Sequence, residues 1–177
     1  FAALSELDRL GVPADDPRRS LVRLANPLAE TAPYLRTTML PGLLAAGARN
    51  LSRGSDDLAL FEVGAVFRAG PDAPAAPLPR VDRKPTDSEW AQFAAALPAQ
   101  PRHLGVLLNG NWLPQRWNEP AEPVTWRHAM GTVETLAVTL GVRLERRAAA
   151  QAPWHPGRCA EIVLAGEVIG YAGELHP

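Results

Sequence analysis

The chain has 177 residues, of which 46% are hydrophobic and 21% are charged, and its formal net charge is −1. This composition is typical of a globular domain long enough to bury a core, and it excludes a disordered chain. The balance of 18 basic and 19 acidic residues disfavours a dedicated nucleic-acid binder, because such proteins usually carry a marked excess of positive charge.

The number of cysteines and the length of the apolar runs indicate where in the cell the protein is expected. Cys159 is the only cysteine, so an internal disulfide framework is excluded and a reducing, cytoplasmic location is expected. The longest apolar runs are short and interrupted by Gly, Arg or Pro, and we therefore expect no contact with a membrane. The chain begins at Phe1 rather than at methionine, so we expect a fragment of a longer chain, folded as a single domain over residues 1–177.

Short elements open the chain. The spacing of Leu4, Leu7 and Leu10 predicts an amphipathic helical turn that ends at Gly11. Residues 21–24 are predicted to form a short strand.

An amphipathic helix is predicted next, with Thr37 or Thr38 as its N-cap. Pro41 falls in its first turn, where a missing N–H costs little. Its apolar face follows the i, i+3, i+4, i+7 spacing and consists of Leu40, Leu43, Leu44, Gly47 and Leu51. Gly54 is expected just beyond its C-terminus.

Residues 58–68 then change to period two, which predicts a strand. One side of this strand is wholly apolar: Ala59, Phe61, Val63, Ala65 and Phe67. The other side is mixed: Leu60, Glu62, Gly64, Val66 and Arg68. We expect helices to cover the apolar side and a partner or solvent to face the mixed side.

The remaining elements are separated by a proline-rich segment, residues 69–85, which is predicted to be a mobile loop. A helix capped by Thr86 or Asp87 and a buried strand at residues 103–108 follow it. A second long helix begins near His128, with an inward face of Ala129, Val133, Leu136, Ala137 and Leu140. Residues 160–164 and 168–175 are predicted to form the last hairpin. The fold class is α/β (α+β), with an antiparallel sheet and helices packed on one face.

Motifs occur in three separated blocks: Asn26-Pro-Leu28 with Leu35-Arg-Thr-Thr-Met-Leu-Pro-Gly-Leu-Leu44, Asn50-Leu-Ser-Arg-Gly54 with Leu60-Phe-Glu-Val-Gly-Ala-Val-Phe67, and His155-Pro-Gly-Arg158 with Glu161-Ile162, Gly166-Glu-Val-Ile-Gly170 and Gly173-Glu-Leu-His-Pro177. In this order they resemble the class II synthetase-like core module in the β chain of bacterial phenylalanine–tRNA ligase. The blocks span nearly the whole chain.

The resemblance implies a catalytically silent copy of the catalytic fold of the α subunit. It implies packing against that subunit in an α2β2 assembly, while ATP, Mg²⁺ and tRNA(Phe) are bound by the whole enzyme and no cofactor or metal by this segment. The candidate interface or structural residues are Leu35, Arg36, Leu43, Phe61, Glu62, His155 and Arg158.

Two features of the resemblance concern chemistry. Arg68 stands where catalytic class II synthetases place an arginine on ATP phosphate, but Gly70 stands where they place a glutamate. Arg68 is therefore interpreted as vestigial, and no catalytic residue is expected. His128 and Met130 stand where the family usually has Asp and Lys, so any role of that charged couple is not transferred.

Two other functions stay open on the sequence. One is an independent class II-like enzyme or amino-acid- and ATP-binding domain that uses Glu62, Gly64 and Arg68, which calorimetric binding of ATP or phenylalanine would reveal. The other is a tRNA-binding module, which would show a strongly salt-dependent affinity for RNA. His155 and Cys159, with nearby acidic and histidine residues, match no strong zinc spacing, and no metal site is expected.

Overall fold

A computed structural model of the chain describes residues 1–70 and 77–177. In these ranges the helices are α1 (Leu4–Arg9), α2 (Leu40–Leu51), α3 (Asp87–Ala95) and α4 (Trp126–Leu140), with a 3-10 turn at Pro17–Arg19. The strands are β1 (Leu58–Ala65), β2 (Arg102–Asn109), β3 (Asn111–Leu113), β4 (Glu122–Pro123), β5 (Glu145–Ala148), β6 (Trp154–Leu164) and β7 (Glu167–Leu175). The loop predicted for residues 69–85 lies partly outside the described residues, and its mobility stays a prediction.

The strands pair antiparallel, which confirms the predicted α+β class. They form three small sheets, β1–β2, β3–β4 and β5–β6–β7, rather than one continuous sheet. The predicted last hairpin is confirmed as β6–β7. It turns at Ala165 and Gly166, whose φ angles of 51° and 89° suit a tight hairpin turn.

Helix α2 packs on one side of the β1–β2 pair and forms the first core cluster. Met39 and Leu43 from the helix and Val66 from the end of the strand are buried together, and Leu60 and Leu107 pack against them. The predicted apolar stripe of α2 therefore provides the contact that holds this helix to the sheet.

The prediction of which side of β1 meets the helix was wrong. Leu60 and Val66, from the mixed side, pack in the cluster under α2. Phe61 and Val63, from the wholly apolar side, are exposed. The number of apolar residues on each side of β1 favoured the wrong side. This number carries no information about where a glycine lets the helix approach the strand backbone closely.

Glycine provides that approach on the side that α2 covers. A Cβ on Gly105 would lie 2.6 Å from Leu43 Cδ1 and 2.9 Å from Met39 Cβ, and a Cβ on Gly47 would lie 2.7 Å from Leu107 Cδ2. Both glycines thus let the helix and β2 come closer than any side chain would permit.

Helix α4 forms the second core cluster with the β6–β7 hairpin. Met130, Ile162 and Ala172 are buried together, and Val133 and Leu144 pack against them. Gly141, with a φ of 66°, ends the helix in the left-handed conformation common at helix C-termini.

Arg18 joins the N-terminal segment to the rest of the fold. Its guanidinium donates to both carboxylate oxygens of Asp16, at 2.8 and 2.7 Å, and to the carbonyl of Ala152 at 2.8 Å. Thr37 is buried and donates from Oγ1 to the Arg18 carbonyl at 2.5 Å, rather than capping α2. The hydrogen bonds from Arg18 lower the pKa of Asp16, so this carboxylate stays ionised.

Other expectations also differ from the structure. Residues 21–24 form no strand, and Arg23 makes only an isolated bridge to Tyr34. Leu51 and Leu140 were expected to face inward but are exposed, because each is the last residue of its helix. No helix in the described ranges is both long and apolar enough to cross a membrane.

Leu43→Ala is expected to destabilise the chain by about 2–5 kcal/mol, because truncation leaves a cavity at a fully packed position. Leu51→Ala, in the same helix but 41% exposed, should cost less than about 1 kcal/mol. Chemical denaturation of both variants measures the difference. Equal costs would mean that Leu43 does not lie in a packed core.

Gly105→Ala is expected to destabilise the chain by about 1–3 kcal/mol, since the new methyl group meets Met39 Cβ, which is fixed to the helix backbone. Gly42→Ala is the matched control. Its Cβ would have no neighbour closer than 4.0 Å, and alanine favours a helix by roughly 0.5–1 kcal/mol. Shifts of the melting temperature in opposite directions are expected, and a neutral Gly105→Ala would contradict the close approach of α2.

Candidate docking face on the β1–β2 pair

The side of the β1–β2 pair that points away from α2 is an exposed apolar surface. Its residues alternate along both strands and are Ala59, Phe61, Val63, Leu104, Val106 and Leu108. The register places Phe61 opposite Val106 and Val63 opposite Leu104. These four side chains are 74%, 36%, 53% and 41% exposed, respectively. We call the six residues the open face.

The open face continues into a groove beside the β3–β4 hairpin. The groove has a volume of about 340 Å³, and its lining includes Ala59 and Leu108 from the open face together with Trp112 and Leu113. This contiguous exposed apolar surface is a candidate site of contact with another protein segment.

His128 holds the hairpin that forms the groove. Its Nδ1 accepts a hydrogen bond from the Thr125 backbone N–H at 3.0 Å, and its Nε2 lies 3.1 Å from Glu122 Oε1. Its ring stacks on Trp112 with centroids 4.9 Å apart. His128 thus caps α4 and orients Trp112. His128 and Met130 both depart from the family pattern, and Met130 is buried in the second core cluster.

Arg36 and Glu62, two of the predicted candidates, meet on the α2 side of β1. Arg36 Nη1 lies 2.6 Å from Glu62 Oε1, and its Nε donates to the Ala65 carbonyl at 3.0 Å. The Arg36 carbonyl accepts from Phe67 N at 2.8 Å. A Cβ on Gly64 would collide with the Arg36 guanidinium, so the glycine makes room for this clamp. The pair fastens the segment before α2 to β1.

Leu35 precedes α2, and Leu43 lies within it. Leu35 is half-buried and donates its backbone N–H to the Val22 carbonyl at 2.9 Å. Leu43 belongs to the first core cluster. Among the predicted candidates on the β1 strand and the α2 segment, Phe61 is the one that the structure places on the open face.

Arg68 is exposed, just beyond the end of β1, where its backbone pairs with Ala99 through bonds of 2.9 and 3.0 Å. Burial, with a smaller contribution from the charge of Arg68, lowers the pKa of His103. The imidazole therefore favours its neutral form. Activation of a triphosphate requires several positive charges that converge on it, and Arg68 beside a neutral imidazole offers one.

His155 and Arg158 lie away from the open face, on β6. The Gly157 N–H donates to His155 Nδ1 at 3.1 Å, and the imidazole stacks on His176 with centroids 5.9 Å apart. Arg158 forms an ion pair with Glu174 on β7. That bond lowers the pKa of the Glu174 carboxyl. Both residues thus make local contacts that stabilise the hairpin.

Cys159 is buried, and its thiol has a raised pKa because of burial and of the nearby Glu161 charge. A raised pKa keeps the thiol protonated and unreactive. Over residues 1–70 and 77–177, no three His, Cys, Asp or Glu side chains are grouped so that they could hold a metal ion.

Sequence reasoning missed the β2 half of the open face. Residues 103–108 were interpreted as a buried strand, whereas Leu104 and Val106 are exposed on one side and Gly105 and Leu107 face α2. The alternation around Gly105 was the available signal, since a strand glycine often marks a close backbone neighbour on one side.

Known proteins of one family match this chain over its full length. The family model described as "Phenylalanyl tRNA synthetase beta chain CLM domain" matches residues 1–177. The chain is 55% identical over its whole length to a phenylalanine–tRNA ligase beta subunit of Cutibacterium acnes, covering 21% of that protein. It is 52% identical over its whole length to the subunit of Thermobifida fusca, of which it covers 22%, and 53% identical over 96% of its length to that of Streptomyces avermitilis, of which it covers 21%. It thus spans about a fifth of the length of these curated relatives. The chain belongs to the phenylalanyl-tRNA synthetase beta chain family, in which it corresponds to the CLM domain.

Proposed function

We propose that the chain is a non-catalytic core module of a phenylalanine–tRNA ligase β subunit. In this proposal the module supports assembly with the α subunit, and the α2β2 enzyme in the cytoplasm uses ATP and Mg²⁺ to charge tRNA(Phe) with phenylalanine. The family match and the relatives named as beta subunits support the general part of this function.

The open face is the observation that carries the assembly role. Phe61, Val63, Leu104 and Val106 are exposed side by side on a regular strand pair, and the clamp and core residues hold that pair rigid from behind. Aromatic and branched apolar side chains on a rigid support are typical of the centre of a protein–protein interface.

The same surface is unsuited to a nucleotide. A triphosphate needs charged and hydrogen-bonding groups that replace its hydration, and apolar side chains cannot supply them. The exposed Arg68 lies beyond the end of β1, where it is one guanidinium near a neutral imidazole. These features support an assembly role without phenylalanine activation by this module.

The isolated chain is expected not to activate phenylalanine, because Arg68, just beyond the end of β1, is one guanidinium near a neutral imidazole, and phosphate activation needs several converging positive charges. Phenylalanine-dependent exchange between ATP and pyrophosphate measures this, with the reconstituted αβ enzyme as the positive control. Turnover by the isolated chain, without α subunit, would overturn the non-catalytic assignment.

Arg68→Ala is expected to change the free energy of unfolding by less than about 0.5 kcal/mol, since the side chain is exposed. In the reconstituted enzyme, the phenylalanine activation rate should stay within about twofold of the unsubstituted enzyme. Arg143→Ala, another exposed arginine, serves as the control. A variant that folds and assembles normally but loses activation would show that Arg68 takes part in catalysis.

A further inference from the structure

One end of the β1–β2 pair carries an asparagine followed directly by a glycine. Asn109 is the last residue of β2 and lies opposite Leu58, the first residue of β1. Gly110 follows it in the connection to β3, and both residues are exposed. The chain has five asparagines, and Asn109 is the one that precedes a glycine. The other four therefore provide internal controls for any reaction that depends on this glycine.

The backbone N–H of Gly110 is available to the side chain that precedes it. Gly110 has a φ of 79°, and without a side chain its backbone nitrogen is left unshielded. None of the loop and side-chain hydrogen bonds of the described residues uses this N–H as a donor. The nitrogen can therefore react without first giving up such a bond.

The side chain of Asn109 is held by one hydrogen bond. Its Nδ2 donates to the Asp56 carbonyl at 3.0 Å, at an exposed position. An exposed hydrogen bond of this kind opens readily, because water replaces the lost partner on both sides. Opening it lets the Asn109 Cγ atom turn toward the Gly110 nitrogen.

We propose that Asn109 is a site of spontaneous deamidation, which converts it to a mixture of aspartate and isoaspartate. The Gly110 nitrogen loses its proton to hydroxide and attacks Asn109 Cγ, and the new C–N bond closes a five-membered succinimide ring. The bond from Cγ to Nδ2 breaks, and Nδ2 takes up a proton from water and leaves as ammonia.

Water then opens the ring at one of its two carbonyl carbons. Aspartate forms when the bond between the ring nitrogen and Cγ breaks, and isoaspartate forms when the bond to the backbone carbonyl carbon breaks. One water molecule is consumed for each ammonia released, so the reaction requires no oxidant, reductant or other reactant.

The product carboxylate changes the loop that lies beside it. A carboxylate has no N–H to donate, so the bond to the Asp56 carbonyl is lost. The new negative charge also lies close to Asp57, whose carboxylate accepts from the Asn111 backbone N–H at 2.6 Å. Because Asp57 and Asn111 both line the groove beside the β3–β4 hairpin, deamidation is expected to loosen this end of the groove.

Isoaspartate has a further effect, because it adds one carbon to the backbone. A Cβ on Gly110 would collide with the Asp56 carbonyl oxygen and with Asp57 Oδ1, so the turn is closely packed. A longer backbone at Asn109 cannot keep this packing and the pairing of Asn109 with Leu58 together.

The test incubates the full-length protein that carries this chain and follows each asparagine by peptide mass spectrometry. Deamidation of Asn109 should be at least about tenfold faster than that of Asn118, an exposed asparagine followed by glutamate, because a side chain on the next residue hinders attack by its nitrogen. The rate should rise with pH, since the attacking nitrogen must first lose its proton. Equal rates at the two positions would overturn the proposal.

The products identify the route. Isoaspartate is expected together with aspartate, and aspartate alone would mean direct hydrolysis of the amide and would overturn the succinimide step. Asn109→Gln should not react, because its longer side chain would have to close a six-membered ring. A mass increase that persists in the same peptide of this variant would assign the reaction to Asn111 and overturn the proposed site.

The effect on the groove is tested with Asn109→Asp, which carries the product charge from the start. Hydrogen–deuterium exchange of the Asn111 amide should become about fivefold faster, as expected when one hydrogen bond is weakened. Asn118→Asp is the matched control, since it adds the same charge at an exposed position and should leave this exchange unchanged. Equal exchange in Asn109→Asp and the unsubstituted protein would overturn the loosening of the groove.

Discussion

The packing of α2 on the β1–β2 pair decides which surface of the module remains free. Met39 and Leu43 reach the backbone of β2 because Gly105 has no side chain in their way. Strand side chains alternate between two sides, so once Leu60 and Val66 face the helix, Phe61 and Val63 must face outward. A single close contact between a helix and a strand thus creates the open face.

Side chains on one side of these strands consequently stabilise the fold, while those on the other side stay exposed. The free energy of folding comes from the two core clusters and from contacts such as the Arg36–Glu62 clamp and the bonds of Arg18. The open face contributes little to it, because its side chains stay in contact with water. A rigid strand pair that does not need its outer side for folding can present that side to a partner in a fixed geometry.

The sequence predicted the elements better than their arrangement. Helix α2 and strand β1 follow from period 3.6 and period 2 patterns, which depend only on local spacing. The orientation of β1 depends instead on Gly105, which lies more than forty residues away in sequence and acts through the register with Glu62. Leu104 and Val106 were not among the sequence candidates, because they join Phe61 on one surface only when β1 pairs with the distant strand β2.

The apolar chemistry of the open face suits contact with another apolar surface better than contact with a nucleotide. Charged groups bind a nucleotide because they replace its hydration, whereas apolar side chains bind another apolar surface because water leaves both surfaces. One strip about 10 Å wide cannot satisfy both demands, since a charge within it would have to be desolvated when a second apolar surface covers it. Asp57 and Arg102 lie at the ends of the strip, so its apolar centre carries no charged side chain. A strand pair with an apolar centre is therefore suited to contact an apolar surface, and not to activate a phosphate.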